Sequence, residues 1–518
     1  MMKIEPASGE QFKKTLPLFK EKSEEYFTGK MNMKEYKGFS GKYGTYSQRG
    51  GKKSMLRLRM NAGRLTPEKL HFIVEMAEKY DVKPIHFTTC QTVQFHNLEL
   101  EPLWDIMEKA LDVNVIWYGG GGDYPRNVMC SPLSGVEEEY FDVTPYADAM
   151  ANFLIDFIDE EKMPRKLKVA FSNNDANRTH ATFRDLGFIA NEHGKFDVMA
   201  CGGLGIDPLL GVEVAKDVDP KDILYYAEAM IRMFRKHGNY ENRRKARTRF
   251  LQETLGAEGI RKAFHEELET VKAERHLDIE VDIPVYEKEP QGDPLEESYL
   301  VHKQKQDGLY AILFHPKGGI PSWQTLKALD EAFQDMPLVE MRLEPNEGSF
   351  IINLTADEAR KVLDIIDKEA AHNSFEASTS CIGATICQVG LRDSQDMLSK
   401  VLKAVEEAGD IADNALPAIF ISGCPSSCAT HQVAPIGLRG AVKVVDRQPI
   451  AGFGLFVGGD DRQGYEKMGE ELGVIPLDQV PSFFVDLGRQ ITASNLAFEE
   501  WVRQNPDGIA QIAANYLV

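Results

Sequence analysis

Cysteine is scarce in this chain and odd in number, seven among 518 residues, which argues against an extracellular disulfide framework. Long apolar runs are missing too. The longest stretch without charge, residues 414–438, is broken by Pro417, Gly423, Pro425, Pro435 and Gly437, so no spanning helix is expected. The first residues, MMKIEPASGEQFKK, lack the apolar segment of a secretion signal. Cytoplasm is the default, where thiols stay reduced or bind metal. Basic excess is absent: 80 acidic against 60 basic residues leave a formal charge of −20 and argue against a nucleic-acid partner. No glycine-rich dinucleotide fingerprint follows a strand, so direct NAD(P)H oxidation is not expected. What remains, 43% apolar and 27% charged, suits a globular chain of three or four units.

Positive charge is nonetheless concentrated. Residues 30–64 carry ten Lys or Arg against the single acid Glu35. Such a run is usually a solvated or disordered face. Here it merges into MLRLRM (55–60), which alternates like a half-buried strand and turns Arg57 and Arg59 to one side. A second run, Arg243 to Arg249, follows a helix expected over 220–237. Residues 277–304 are acidic and proline-bearing and read as a connection between halves.

The halves repeat. Residues 55–111 read strand, turn, helix, strand, strand, helix, and 309–366 repeat that order. Asn97-Leu98 stands after Gly63 as Asn353-Leu354 stands after Gly319. Antiparallel strands with helices on one face make an α+β unit. Further on, KVAFSNN leads to Gly187 and AIFISGC to Gly437, and each then reaches a glycine pair, Gly202-Gly203 or Gly458-Gly459. Two matched spacings in the same order point to a pseudo-two-fold architecture. Cys424 then falls opposite Asn174 and Cys428 opposite Arg178, so two cysteines are present in one copy only.

Four cysteines lie in the second half: Cys381 and Cys387 as C-x5-C, Cys424 and Cys428 as C-x3-C. Four thiolates can hold a [4Fe–4S] cluster, whereas zinc sites use tighter pairs. Both pairs sit among Gly, Pro, Ser and Thr in STSCIGATIC and SGCPSSC, loops whose free N–H groups suit cluster sulfurs. On spacing alone the chain is an electron-transfer iron–sulfur protein. Cys90, Cys130 and Cys201 are dispersed and read as packed thiols, and His96 and His180 stay unassigned.

With C-x5-C, then SGCPSSC, inside a duplicated chain, the sequence resembles the sirohaem sulfite and nitrite reductases. MLRLRMNAGRLTPEKL, FTTCQTVQFH, PRNVMCSPLSGV, MPRKLKVAFS and NRRKARTRF fall in that family's order from residue 55 onward. The resemblance implies an α+β, pseudo-two-fold fold: two ferredoxin-like repeats plus two larger α/β lobes around sirohaem and one [4Fe–4S] cluster. Its expected layout is a basic N-terminal arm (1–54), repeat 1 (55–125), lobe 1 (126–276), a linker (277–305), repeat 2 (306–371) and lobe 2 (372–518). Cys381, Cys387, Cys424 and Cys428 would ligate the cluster, with Cys428 also bridging to the sirohaem iron. Arg59, Arg126, Lys166 and Lys168 match the family's substrate-facing basic residues, which bind the anion and supply protons. Arg243, Lys245, Arg247 and Arg249 are candidates for sirohaem carboxylates. Two departures stand out: Cys90 where the family usually has Arg, and Pro435 where it usually has an acid, kept in the first half as Asp185.

The resemblance implies six-electron reduction of a small oxyanion. Lys166-x-Lys168 and QFH (94–96) lean to sulfite, and PLSGV (132–136) leans to nitrite. The implied donor is a ferredoxin or similar carrier, with residues 30–53 as a basic docking patch for an acidic partner. The rival from another class is a non-catalytic iron–sulfur electron-transfer or redox-sensing protein that has lost sirohaem, to which Cys90 gives footing.

Overall fold

The computed structural model describes residues 1–160 and 162–518. In the first half, Thr45–Ser47, Ser54–Arg59, Thr92–Leu98 and Ile85–Phe87 lie in that order across an antiparallel sheet, with helices Pro67–Tyr80 and Leu100–Asp112. In the second half Val301–Lys303, Tyr310–Phe314, Ser349–Leu354 and Glu340–Leu343 form the matching sheet with helices Trp323–Phe333 and Ala356–Ile366. Local chemistry starts these helices: Ser322 Oγ accepts from Thr325 N, and Thr355 and Glu358 close a reciprocal capping box.

The Asn-Leu motif of both repeats has a backbone cause. Asn97 and Asn353 both adopt left-handed φ, 58° and 63°, and their Nδ2 atoms donate to Lys83 O (2.7 Å) and Leu338 O (2.9 Å). Asparagine tolerates that conformation better than other side chains do. Arg64–Leu65 crosses from repeat 1 to pair with Arg342 and Met341, so the two repeats are stitched together. One apolar core runs through both, including Leu56, Ile73 and Phe95 with Ile312, Leu326 and Ile351.

The N-terminal segment is not an arm. Residues 10–40 form helices Glu10–Lys13, Leu16–Phe27 and Met33–Ser40, and Thr45–Ser47 is the edge strand of the first sheet. Phe12, Leu16, Phe19 and Tyr43 enter the shared core, and Tyr26 stacks on Tyr36 at 4.3 Å. Apolar residues between the lysines, worth roughly 1.5–3 kcal/mol each when buried, outweigh the charge run. The connection over 277–305 likewise ends in Val301–Lys303, a strand of the second sheet.

The two lobes share one topology. Met129–Cys130, Val169–Ser172 and Leu186–Ala190 run parallel, then Phe196–Ala200 and Val212–Val218 return antiparallel. Thr379–Ser380, Ile419–Ser422, Ile436–Val445, Gln448–Val457 and Glu470–Pro476 repeat this. Register is the same: Met129 pairs with Ala170 and Thr379 with Phe420, Val169 with Leu186 and Ile419 with Ile436. Gly187 and Gly437 are required by close approach, since a Cβ on either would lie 1.9 Å from Ala181 O or His431 O. Their glycine pairs match with a shift of one. Cys201 N donates to Asp185 O and Gly458 N to Pro435 O, while Gly202 N donates to Arg184 O and Gly459 N to Ala434 O. Cys201 therefore takes the left-handed position (φ 61°) that Gly458 takes in the other copy (φ 72°).

The loops after these positions reach across to the opposite lobe. Asn177 Nδ2 donates to Asp461 O at 2.7 Å, and Gln432 Nε2 donates to Gly205 O. Thr182 and Gln432 are themselves mates, each accepting through its carbonyl from Gly211 N or Gly469 N.

Candidate active site

The strand ends of the second lobe carry the thiols. Cys381 follows Thr379–Ser380, Cys387 sits in the next turn, and Cys424 and Cys428 follow Ile419–Ser422. Backbone bonds locate all four in the first copy. Cys381 N donates to Ile421 O as Ser131 N does to Phe171 O, and Cys387 N to Gly383 O as Glu137 N does to Leu133 O. Ser427 N donates to Cys424 O as Asn177 N does to Asn174 O. The four cysteines thus replace Ser131, Glu137, Asn174 and Arg178. Two of these mates, Asn174 and Glu137, are hydrogen-bonded at 3.2 Å, which shows how closely these loops converge.

The thiols act on one another. Burial and then Cys428 push the Cys381 thiol up to about 12, although Cys381 Sγ accepts from Gly423 N at 3.2 Å and meets Ser394 Oγ at 3.1 Å. Burial raises Cys428 too, Cys424 and Cys387 add to it, and Lys166 and Lys168 oppose it. Mutual repulsion of this kind is relieved by a cationic centre between the sulfurs. Among the described residues no three His, Cys, Asp or Glu side chains could together hold a single metal ion. Four thiols in electrostatic reach, with backbone N–H groups on the sulfur, fit a cluster in which each iron takes one thiolate.

Cys428 is exposed, yet deep enough for burial to dominate its titration, so it opens onto an internal recess. Lobe 1 supplies the facing wall. Arg126 N donates to Leu167 O at 2.9 Å, which sets Arg126 beside Lys166 and Lys168 on either side of the buried Leu167. Burial, then Lys168, Arg126 and Arg247, push Lys166 well below the ordinary lysine range. Burial lowers Lys168 as well, against the pull of Cys90. Burial alone would raise the Cys90 thiol; Lys168, Arg184 and Arg57 outweigh it and hold it down to about 6. Thr89 Oγ1 donates to Cys428 O at 2.8 Å and joins this wall to the thiols.

Arg59 and Arg126 are largely spent on the backbone. Arg59 Nη1 donates to Pro125 O (3.0 Å) and Nη2 to Arg126 O (2.9 Å), while its Nε is buried and unpaired. Arg126 donates to Gly120 O and Gly122 O and likewise keeps an unpaired Nε. Burial, then Arg126, lowers Arg59 to about 9, so it stays charged at neutral pH.

Of the four candidates in the second basic run, Arg243, Lys245, Arg247 and Arg249, Arg249 alone is without a carboxylate partner among the described residues. Arg243 pairs with Asp123 at 2.7 Å, Lys245 with Glu253 at 2.5 Å, and Arg247 with Asp185 at 2.8 Å. Arg249 Nε donates to Asp207 O, and burial, then Arg247, lowers the guanidinium to about 10. A Cβ on Gly205 would come within 3.1 Å of Arg249 Nη2, so glycine leaves room for this buried guanidinium. The cation-rich wall, with Arg249 free of a carboxylate, fits a polyanion such as sirohaem.

Several wall residues escaped sequence reasoning. Arg57 donates to Gly120 O, Arg165 pairs with Asp123, and the charge of Arg184 lowers the Cys90 thiol. Arg49 Nη2 donates to Gly390 O at 2.7 Å and Gln388 Nε2 to Ser47 O at 2.7 Å, so the N-terminal segment covers the Cys387 turn. A basic residue beside a short polar loop carried no signal for this. His96 is buried beside Gln48, and His180 meets Asp461. Two surface hollows, of 650 and 460 Å³, lie over helices Ser394–Ala408 and Pro67–Tyr80, and none of the four cysteines lines either. No helix among the described residues is long and apolar enough to cross a membrane.

Known proteins resemble the chain throughout. The family model for the nitrite/sulfite reductase ferredoxin-like half domain matches residues 46–113, and that for the nitrite and sulphite reductase 4Fe-4S domain matches 121–272. The second match lies on lobe 1, the copy without the quartet. The assimilatory ferredoxin-dependent nitrite reductase of Haloferax mediterranei is 25% identical, over 90% of this chain and 85% of its own. The ferredoxin sulfite reductase of Mycobacterium tuberculosis is 26% identical, over 78% and 73%. Among solved structures, the NirA protein of Mycobacterium tuberculosis superposes over 97% of both chains with a TM-score of 0.77 at 23% identity, so the fold is shared.

Proposed function

We propose that this chain, whose residues 46–113 and 121–272 match the nitrite and sulfite reductase domain models, reduces sulfite to sulfide by six electrons, at a sirohaem coupled to a [4Fe–4S] cluster. The observation that carries this reading is one recess with four thiols on one side and a lysine–arginine wall on the other. When bound, the two cofactors supply electron transfer and the iron that holds the substrate. Cys381, Cys387, Cys424 and Cys428 would hold the cluster irons, and Cys428, open to the recess, would face the sirohaem.

The wall residues then bind the anion and deliver protons. Lys166 and Lys168 present two amines to the anion, and a lysine so lowered, when protonated beside it, gives up its proton readily to oxygen leaving as water. Arg126 and Arg59, with their Nη atoms committed to carbonyls, add positive potential beside the oxyanion. Arg249 takes a sirohaem carboxylate. Arg243, Lys245 and Arg247 already hold protein carboxylates and would do so only by exchanging partners.

The donor in this reading is a reduced ferredoxin or similar acidic carrier. Lys30, Lys34, Lys37 and Lys52 are exposed, on the segment that covers the Cys387 turn. Lys42 pairs with Asp159 and suits docking less than its neighbours. A second reading, nitrite to ammonium, is favoured by the PLSGV segment at 132–136. With reduced viologen as donor, holoprotein should show a higher kcat/KM for sulfite than for nitrite; the reverse order establishes the second reading.

A further inference from the structure

Arg184 is 6% exposed and lies between the turn Ala181–Phe183 and the strand Leu186–Ala190. Its Nε donates to Thr179 O at 2.9 Å and its Nη2 meets His180 Nδ1 at 3.2 Å. A guanidinium offers only donors, so His180 Nδ1 is the acceptor and the ring proton sits on Nε2. That Nε2–H donates to Asp461 Oδ2 at 2.8 Å. Asp461 belongs to the loop that reaches over from lobe 2, and Asn177 Nδ2 holds its carbonyl at 2.7 Å. His180 is 1% exposed and stacks on Phe183 at 4.8 Å, so ring and tautomer are held from both sides.

Among the described residues no carboxylate pairs with Arg184, and its Nη1 makes no hydrogen bond. The neighbouring carboxylate, Asp185, is taken by Arg247 and Thr248. The mate of Arg184 in lobe 2 is Ala434, so the duplicated fold does not require it. A buried cation fixed at two nitrogens and left open at the third, beside Cys90 and Lys168, is arranged to meet an oxyanion.

We propose that Arg184 is an anion-binding residue of the recess, and that His180 of the same lobe and Asp461 of the opposite lobe are its positioning residues, acting through a fixed histidine tautomer. This rests on the function proposed above. The ligand chemistry is a planar or pyramidal oxyanion edge, from a sirohaem carboxylate or from the small substrate anion.

The test compares wild type, Arg184→Met, Asp461→Ala and the double variant, each expressed with sirohaem supply. Sirohaem per chain, the sulfite KM and kcat, and thermal unfolding are measured on each. If the ligand is a carboxylate, Arg184→Met retains several-fold less sirohaem. If it is the substrate, sirohaem content holds and KM for sulfite rises about tenfold, the size of one charge-assisted hydrogen bond. Asp461→Ala should shift the same quantity by less, since the guanidinium keeps its bond to Thr179 O. The double variant should be no worse than Arg184→Met, because both act through one guanidinium. Unchanged sirohaem and KM in Arg184→Met overturns the binding role, and an additive double variant overturns the positioning role. Wild type that takes up no sirohaem overturns the function itself, a result distinct from both.

Discussion

Cys90 offers a direct reading of the field inside the recess. Its thiol is brought from 9.0 down to about 6 by Lys168, Arg184 and Arg57 acting against burial. At ~1.4 kcal/mol per pH decade, that is about 4 kcal/mol in favour of the thiolate. At pH 7 a thiol of that kind is roughly 90% ionised, against a few per cent for an ordinary one near 8.5. Cys130 and Cys201 are fully buried and burial pushes both thiols up, so alkylation between pH 5 and 9 should report chiefly on Cys90 among the first-half cysteines. Carboxamidomethylation followed at peptide level should rise with a midpoint near 6. Lys168 is the largest of the three cationic influences, so Lys168→Met should move that midpoint up by at least about one pH decade. The same depression is a stability effect. The folded value lies below the unfolded one, so the contribution is fully present above about pH 9 and is lost as pH falls through about 6. Wild type should lose more stability than Cys90→Ser across that window. A midpoint at 8 or above, or one indifferent to Lys168→Met, would refute this electrostatic account.

Other perturbations test other levels of the structure. Cys424→Ser should abolish cluster iron while the chain still folds, because Cys424 sits in a turn whose mate in lobe 1 carries Asn174 and needs no metal; iron content and circular dichroism decide it. Lys34→Glu with Lys37→Glu should slow ferredoxin-driven turnover at low salt and leave viologen-driven turnover intact; equal rates with ferredoxin would remove the docking patch. Asn97→Val should cost about 1–2 kcal/mol in chemical denaturation, since a β-branched residue resists a φ of 58° and Lys83 O loses its donor. An undiminished midpoint would mean the strand relaxes there.

Sequence periodicity revealed the duplication where backbone geometry demands particular residues, as at Asn97 and Asn353 or Gly187 and Gly437. It exposed the mates of Cys424 and Cys428 because they stand close to matched strands. It missed those of Cys381 and Cys387, since Ser131 and Glu137 share only hydrogen-bond register with them. The basic N-terminal run looked like an arm because charge dominates its composition, while the few aromatic residues that dock it act through tertiary contacts. Arg184 was invisible for a related reason: what orients it is a carboxylate from the other half of the chain. Of the second basic run, the sequence could not separate Arg249 from Arg243, Lys245 and Arg247, whose carboxylate partners lie on other elements.

The central claim is that thiol quartet and basic wall serve two cofactors at once. Iron analysis together with the visible absorption spectrum of protein made with sirohaem supply tests it most directly. The account predicts about five irons per chain and an intense Soret-type band that shifts when sulfite is added. Cluster iron without a Soret band would contradict it and leave an iron–sulfur electron-transfer protein.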